Sequence, residues 1–476
     1  MKSAIERELK LTVAAGFKLP PLKGARLPAK LLTSVYFDTP DLRLARARIT
    51  LRHRTQGRKS AWQLKLPLDC GRREVEMPGK SSIPPPQILD LLFIHLQDGA
   101  VQPVATLRTR RTGIRVGGSK GADVVLDEVA ILKESSEVLI FREVEIEQLD
   151  GDASLANRLE KTLRKAGATD HDGRPKIFRA LDLPAPQRPA PPDSDAHASA
   201  HLRYILGRQL NTMLSRDPGV RLGGDSEDVH QMRVATRRMR SVLRVARPLL
   251  KSGWEEPLRD KLGWLGRQLG EARDLDVQIA YFKGQSDSVK PRDRAALERF
   301  LEYLQKKRNK VQEQLMSHLR RRRYVTLINR LIPAVHDPAM VPNVDVTLPD
   351  LARKAFRKVK QAVKELDDSA SNAKWHCVRI RTKRARYAAE LSESCSGRAA
   401  TRFIDKIKLI QDQLGDIQDA VIAEDHLRRF TSRTSRHSAL LAGQMVERQR
   451  QRRRHAKQAF YSTWKQVKKC GKEAWC

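Results

Sequence analysis

The sequence has few aromatic residues, few cysteines and fewer acidic than basic residues. Phe, Trp and Tyr make up 5% of its 476 residues, which leaves few rings to stack on the bases of single-stranded nucleic acid. Its five cysteines show neither disulfide nor zinc-ligand spacing, a pattern that indicates reduced thiols in a cytoplasmic protein. No signal peptide is evident, and no apolar run reaches the roughly 18 residues of a membrane-spanning helix. We therefore expect no membrane partner.

The excess of basic residues is large and unevenly distributed. The formal net charge is +36. Residues 1–200 contribute +8 of this charge, and the rest of the chain contributes +28. Such an excess predicts that the C-terminal part binds a polyanion, which could be nucleic acid, an anionic membrane surface or inorganic polyphosphate.

Three segments follow one another along the chain. Residues 1–182 read mainly as strands with alternating polar and apolar positions, which predicts a β-barrel or a curled antiparallel sheet. Residues 183–199 hold five prolines and predict an extended linker. From residue 200 to 476 apolar residues recur at helical spacing, which predicts an internally duplicated helical bundle. The expected fold class is therefore a two-domain α+β chain.

The predicted strands sort their charges by sign. Glu6, Glu8 and Lys10 share one strand face, because side chains alternate with a period of two. Mixed charges on a sheet usually mean a solvated outer face. Here, however, carboxylates gather on some strands and Arg or Lys on others. Clustered carboxylates suit a hard cation such as Mg²⁺, and clustered guanidinium and ammonium groups suit phosphate oxygens. A barrel interior with both would bind a metal–polyphosphate complex.

These residues resemble the CYTH, or triphosphate tunnel metalloenzyme, family. The resemblance covers residues 1–182 and rests on several motifs in order: Glu6-x-Glu8-x-Lys10, Tyr36-Phe-Asp38-Thr-Pro40, Leu51-Arg52-His-Arg54, Gln63-Leu-Lys65, Asp127, the strand with Glu143, Glu145 and Glu147, and Pro175-Lys176. It implies an eight-stranded antiparallel tunnel that hydrolyses triphosphate with Mg²⁺ or Mn²⁺.

The resemblance also implies roles for particular residues. The catalytic residues would be Glu6, Glu8 and Lys10. The metal would be held by Glu6, Glu8, Glu145 and Glu147, with Glu143 as an ambiguous neighbour. Besides Lys10, the phosphate ligands would be Arg52, Arg54, Lys65, Arg110 and Lys176. For Arg110, the motif Arg108-Thr-Arg110-Arg111 leaves its neighbours as alternatives.

A basic helical stripe occurs twice in the C-terminal part. Stripe 1 is His230, Arg233, Arg237 and Arg240; stripe 2 is His376, Arg379, Lys383 and Arg386. Each places its members at i, i+3, i+7 and i+10, on one helix face. The stripes are 146 residues apart, and the segments Leu269–Asp274 and Leu414–Asp419 that follow them are 145 apart. This spacing predicts a duplicated unit.

Like charges on one helix face destabilise the helix unless something neutralises them. Downstream acids such as Asp274 and Asp419 could do so within a solvated face, and the two histidines could be ordinary packing residues. The alternative is that the stripes face each other across one groove that binds a polyanion. This region resembles the CHAD family, named for its conserved histidines and α-helices and associated with polyphosphate binding. The order CYTH then CHAD is a known pairing.

The sequence therefore predicts an inorganic triphosphatase fused to a domain that binds long-chain polyphosphate, and such a domain could hold the protein on polyphosphate granules. One alternative is a non-enzymatic nucleic-acid binder, although nucleic acid is expected to bind only nonspecifically. A further alternative keeps the tunnel but gives it another triphosphate, such as a nucleotide or an RNA 5′-triphosphate. The motif residues do not separate these substrates.

Overall fold

A computed structural model of the chain divides into two compact units, Met1–Arg188 and Pro189–Cys476. The structure describes residues 1–68, 71–133, 136–149, 153–185, 189–342, 345–367, 369–431 and 434–475. The expected linker, 183–199, spans the division between the units. Residues 186–188 of it lie outside the described residues, so its boundaries stay a prediction.

The N-terminal unit is a closed antiparallel barrel. The eight barrel strands are β1 Lys2–Thr12, β2 Ala25–Asp38, β3 Thr50–Gln56, β4 Lys59–Pro67, β5 Arg72–Pro78, β6 Gln102–Val116, β7 Ala122–Lys133 and β8 Ser136–Gln148. Their order is β5-β4-β3-β2-β6-β7-β8-β1, and pairing of β5 with β1 closes the ring. A two-residue strand, β9 Thr169–Asp170, pairs antiparallel with the C-terminal end of β1. The predicted tunnel architecture is confirmed.

The described residues of this unit also form the helices α1 Arg43–Arg46, α2 Pro86–Leu91, α3 Phe93–Leu96, α4 Ala153–Lys165 and α5 Lys176–Ala180. The alternation of the strands explains how α4 and α5 pack. Apolar side chains on the outer face of β1, β7 and β8 bury against Leu159 and Leu163 of α4. The opposite faces of the same strands, which carry the charges, therefore point inward. At one end of the barrel, Ile177 and Phe178 of α5 join an apolar cluster with Tyr36 and Leu107.

The C-terminal unit contains helices α6 Ala198–Leu222, α7 Ser226–Val245, α8 Glu256–Lys283, α9 Arg294–Arg320, α10 Arg322–His336, α11 Leu348–Lys364, α12 Asn372–Thr431 and α13 Arg436–Trp475. Gly397, with φ 63° and ψ −159°, interrupts α12 and divides it into two helical halves. Asp225 caps the start of α7, and a capping box at Thr347 begins α11. The predicted helical bundle is confirmed.

The internal repeat is visible in the placement of the helices. Stripe 1 lies on α7 and is followed by α8, whereas stripe 2 lies on the first half of α12 and is followed by its second half. A buried threonine occupies the same place in each repeat. The hydroxyl of Thr236 donates to the Met232 carbonyl and that of Thr382 to the Val378 carbonyl, both at 2.8 Å. The two stripe helices are thus built alike.

The structure bears on the state of the cysteines and on the presence of membrane-spanning helices. Cys377, Cys395 and Cys470 carry free thiols, while Cys70 and Cys476 lie outside the described residues. Within the described ranges, no helix combines the length and the apolar character needed to cross a membrane.

Candidate active site and polyanion groove

The barrel encloses a strongly charged cavity of about 130 Å³. Carboxylates, guanidinium groups and ammonium groups dominate its wall, because the inward face of nearly every strand supplies them. Its charged lining residues are Glu6, Glu8, Lys10, Arg52, Arg54, Lys65, Arg72, Glu74, Arg111, Glu145, Glu147 and Lys176. The structure therefore brings together every tunnel residue expected from the sequence except Arg110.

The carboxylate side of the tunnel is formed by the pairing of β1 with β8. In the antiparallel register Glu8 lies opposite Glu147, and Lys10 lies opposite Glu145. Lys10 forms a short ion pair with Glu145 and lies 3.4 Å from Glu8. Burial by itself would raise the pKa of Glu8, but the charges of Lys10, Lys65 and Arg72 together outweigh it and the pKa is lowered. Glu8 is thus held ionised inside the barrel.

Lys176 enters the tunnel from the first residue of α5. Its ammonium group lies 2.5 Å from Asp127 and 3.1 Å from each of Glu143 and Glu145. Burial acts to lower the pKa of this lysine, but Glu145 and then Asp127 raise it well above its usual range. Lys176 is therefore a fixed cation that ties the closing helix to the carboxylate side of the barrel.

Two groups of carboxylates are candidates for holding a metal ion. Asp127, Glu143 and Glu145 bring ligand oxygens within 4.8 Å of one another, but Lys176, Arg111 and Lys10 already form ion pairs with them. Glu8 and Glu147, by contrast, face each other across one strand pair. Opposed like charges are unfavourable without a cation, and burial raises the pKa of Glu147 despite a nearby guanidinium. Hard carboxylate oxygens on this wall suit Mg²⁺ or Mn²⁺.

The opposite wall of the tunnel is cationic. Arg52, which is 6% exposed, donates to the Gln63 side chain at 2.9 Å and to the Tyr36 hydroxyl at 3.2 Å. Arg54 lies two residues further along β3. Burial and then the charge of Arg52 lower the pKa of Arg54 to about 10. Two guanidinium groups held this close form a wall that an anion with several phosphate oxygens would stabilise.

The expectation for Arg110 is corrected by the strand register. Arg110 is exposed on the outer face of β6, as is Arg108, whereas Arg111 points into the cavity. Arg111 donates to Asp127 at 2.7 Å, to Glu145 at 2.6 Å and to Glu147 at 2.7 Å. The motif places Arg108 and Arg110 on one face of the strand and Arg111 on the other, and it does not say which face points inward. Only the pairing of Arg111 with Asp127 across β6 and β7 shows which arginine is inside.

The structure adds β5 to the strands that line the tunnel. Arg72 and Glu74 line the cavity, and Gln63 of β4 donates to Glu76 at 2.8 Å. The alternation Arg72-Arg-Glu74-Val-Glu76 could have revealed this strand, because it repeats the charged and apolar faces of β1.

In the helical unit, the two stripes meet. Arg237 donates to the Tyr387 hydroxyl at 3.3 Å, and Arg233 lies 3.3 Å from Asp274. Glycines of α8 make room for stripe 1: a side chain at Gly270 would lie 3.5 Å from the Nε atom of Arg233, and one at Gly263 would lie 3.2 Å from that of Arg240. The helices α7 and α12, which carry the stripes, therefore lie against each other, and the charges of Arg237 and Arg233 reach Lys383. The partly exposed surface that the two stripes share is named here the groove.

The crowding of cations is greatest at Lys383. Burial, followed by the charges of Arg237, Arg379 and Arg233, lowers the pKa of Lys383 to about 5. Asp419 opposes this effect only weakly. The carboxylates near the groove thus leave its positive charge largely uncompensated, which favours an anionic ligand over a network of internal ion pairs.

The two histidines occupy different surroundings. His230 is half-buried, and burial and then Arg273 lower its pKa. Its Nδ1 atom is buried without a hydrogen-bond partner among the described residues. The Nδ1 atom of exposed His376 lies 3.1 Å from the Gln418 side-chain oxygen. At the far ends of the stripes, Arg386 is bound by Glu390 at 2.7 Å and Gln411 at 3.0 Å.

Comparisons with known families agree with the two units. The model of the CYTH domain matches residues 4–175, and the model of the CHAD domain matches residues 204–428. Two uncharacterized proteins from strains of Mycobacterium tuberculosis are each 31% identical over 439 residues, which cover 84% of this chain and 82% of theirs. The likeness therefore extends through both units in the same order.

Among solved structures, the crystal structure of the CHAD domain from the plant Ricinus communis gives a TM-score of 0.49 at 24% identity, covering 58% of this chain and 94% of that chain. A putative adenylyl cyclase from Hippeastrum with a dominant triphosphatase activity gives a TM-score of 0.27 at 18% identity. The match covers 37% of this chain and 96% of that chain.

Proposed function

Because the chain belongs to the proteins in which a CYTH domain precedes a CHAD domain, we propose that it is an inorganic triphosphatase that also binds polyphosphate. The barrel would hydrolyse tripolyphosphate to pyrophosphate and phosphate with Mg²⁺ or Mn²⁺. The helical unit would bind long-chain polyphosphate. We assign the two roles to residues 1–182 and 200–476, joined by the linker 183–199.

The observation that supports this function most strongly is the division of charge inside the barrel. One wall carries Glu8 and Glu147, and the opposite wall carries Arg52 and Arg54. A simple anion would satisfy only the second wall, and a metal ion alone would satisfy only the first. A triphosphate with its divalent cation would satisfy both.

The residues of the tunnel would act mainly by binding and electrostatics. Arg52, Arg54, Lys65 and Arg111 would hold the non-bridging oxygens, and Lys10 and Lys176 would offset negative charge as it grows on the phosphoryl group. Held by Glu6, Glu8, Glu145 and Glu147, a divalent ion would supply further charge stabilisation and orient the substrate. Because paired barrel strands place most of these groups before substrate arrives, little reorganisation of the backbone is needed.

The lysines of the tunnel are held in ion pairs with its glutamates. Lys65 is paired with Glu6 at 2.5 Å, so a bound phosphate would take over one partner of this pair and the metal the other. Lys10 and Lys176 share Glu145. Substrate and metal would therefore replace some of the ion pairs that already exist, while the strands of the barrel keep their places.

For the helical unit, the cation-lined groove supports polyphosphate as the ligand. Polyphosphate has about one negative charge per phosphate, at closer spacing than the ~3.4 Å per charge of one DNA strand. Two stripes facing each other, each with cations roughly 5 Å apart along its helix axis, suit the denser chain. The stripe members would all contribute: His230, Arg233, Arg237, Arg240, His376, Arg379, Lys383 and Arg386.

The substrate is tested by phosphate release from tripolyphosphate, ATP and long-chain polyphosphate measured side by side, with and without Mg²⁺. We expect tripolyphosphate to be the fastest substrate and its hydrolysis to need the metal. Faster release from ATP would move the assignment to a nucleotide triphosphatase. The absence of release from all three substrates would contradict the enzymatic proposal.

The ligand of the groove is tested by competition between long-chain polyphosphate and duplex DNA at two salt concentrations. We expect polyphosphate to win near physiological salt, and we expect Arg233→Ala with Arg379→Ala to weaken its binding far more than neutralising two arginines within 320–323. If DNA wins, or if both double variants bind equally weakly, the stripes belong to a diffuse basic surface and the nucleic-acid alternative is favoured.

A further inference from the structure

The internal repeat is symmetric in sequence, but one ion-pair triad at the edge of the groove has no counterpart. On one side, Glu390 binds Arg238 at 3.0 Å and Arg386 at 2.7 Å. Shifting each member by the repeat spacing of 146 residues into the other copy gives Arg244 for Glu390 and Arg240 for Arg386, both moved back, and Arg384 for Arg238, moved forward. The acid that satisfies two arginines in one copy is thus replaced by a third arginine in the other.

The second acceptor is lost as well. Gln411 accepts a hydrogen bond from Arg386 at 3.0 Å, and its counterpart at the downstream spacing of 145 residues is Gly266. Both groups that hold the guanidinium of Arg386 are therefore missing around Arg240. Across the described parts of the chain, the side chains of Arg240, Arg244 and Arg384 form no hydrogen bond or ion pair.

Arg240 and Arg244 lie about one turn apart on α7, and Arg384 lies on α12, which is joined to α7 by the ion pair of Arg238 with Glu390. Burial, then the charges of Arg244 and Arg240, lower the pKa of Arg384, and Arg259 adds to this effect. Arg259 itself has an acidic neighbour, Glu255, at 3.6 Å. Arg240 and Arg244 are exposed and Arg384 is half-buried, so the cluster is accessible to a ligand.

We propose that Arg240, Arg244 and Arg384, named here the arginine cluster, form a phosphate-binding subsite that extends the groove at one end only. A phosphate group there would take the place that the Glu390 carboxylate fills at the related end. This inference rests on the proposed binding of polyphosphate. It adds that polyphosphate leaves the groove in one direction. The bound polyphosphate chain continues past the arginine cluster, and the carboxylate of Glu390 repels it at the other end.

The test is the affinity of the full-length protein for long-chain polyphosphate, measured in chelator so that no chain is hydrolysed. Arg244→Glu rebuilds the acid of the related triad and should weaken binding about tenfold or more, since charge-assisted hydrogen bonds to phosphate are lost and a repulsive charge is gained. The matched control is Arg322→Glu on α10, which makes the same charge change at an exposed site and should weaken binding less than twofold. Equal effects of the two variants would overturn the subsite.

A second readout separates a ligand site from a structural role. Arg244→Glu should raise the melting temperature, because it replaces repulsion by an ion pair with Arg384, and this gain should vanish when Arg384→Gln is added. A melting temperature that falls in Arg244→Glu would show that Arg244 supports the fold and would overturn the inference. Wild-type protein that binds no polyphosphate would instead contradict the proposed function itself, whatever the variants do.

Discussion

At the scale of single residues, Arg111 is the clearest addition that the structure makes to the tunnel. It contacts three carboxylates, including Asp127 through two of its nitrogen atoms, while Arg110 points out of the barrel. We expect Arg111→Gln to lower triphosphatase kcat about 100-fold, in the range found when a donor to developing charge is removed. Arg110→Gln is the control and should stay within twofold of wild type. Comparable losses in steady-state phosphate release would contradict this placement.

Lys383 gives a pH dependence. Its pKa of about 5 means that it is mostly neutral at pH 7, and a polyanion in the groove would raise that pKa. Binding should therefore take up a proton, and affinity should fall as pH rises above about 5, by at most tenfold per pH unit from this one group.

Calorimetry of polyphosphate binding in two buffers of different ionisation enthalpy measures this proton uptake. In Lys383→Arg, whose guanidinium stays charged, the uptake should shrink and the affinity should depend less on pH. An unchanged uptake in that variant would assign the protons to other groups, such as His230.

Sequence reasoning found most tunnel residues but could not choose between Arg110 and Arg111. A strand's period of two fixes which residues share a face, not which face is inside. In most of the motif strands an apolar opposite face settled the question, as Val144 and Ile146 do in β8. In β6 the run of arginines and threonines carries no such contrast, and only its pairing with β7 decides. The arginine cluster was missed for a related reason, because repeats reveal equivalent positions but not their contacts.

At the scale of elements, α5 packs at one end of the barrel and supplies a side chain to the tunnel. Lys176 is its first residue and forms ion pairs with three buried carboxylates. Removing one partner from a buried ion-pair group leaves unpaired charge, so Lys176→Met should lower the free energy of unfolding by about 3 kcal/mol. The loss should be larger at pH 8 than at pH 5. Without Lys176 the folded-state pKa of these carboxylates rises. The free energy of unfolding of the variant therefore falls as the pH increases from the unfolded-state pKa towards this raised pKa.

Urea unfolding followed by circular dichroism measures this change, with Lys161→Met on α4 as the control because Lys161 is exposed. A Lys176→Met protein as stable as this control would show that α5 is not held by its lysine.

The elements themselves were predictable to different degrees. Strands such as β1 and β8, with charged and apolar residues alternating, were evident from the sequence, and so was the helical character of the C-terminal part. The strand β5 is short and was overlooked. The division of α12 at Gly397 was not foreseen either, since a single glycine in a helical pattern does not by itself specify a positive φ.

At the scale of the whole molecule, the account assigns two activities to two units of one chain. Variants of the full-length protein can separate them. Arg233→Ala with Arg379→Ala should reduce affinity for long-chain polyphosphate about tenfold or more while tripolyphosphate hydrolysis stays near wild type, since each pair of charge-assisted contacts is lost in one unit only. Hydrolysis and binding are measured on the same preparation. A parallel loss of both would show that the activities are not divided in this way.

The central claim is that the carboxylate wall of the tunnel supports metal-dependent hydrolysis of triphosphate. Its most direct measurement is phosphate release from tripolyphosphate by wild type, Glu6→Gln and Glu8→Gln, in Mg²⁺ and in excess chelator. Polyphosphate binding by the helical unit serves as the check on overall integrity. We predict release by wild type in Mg²⁺ only, and a loss of about 100-fold or more in each variant. Full activity in chelator, or undiminished turnover in both variants, would contradict the account.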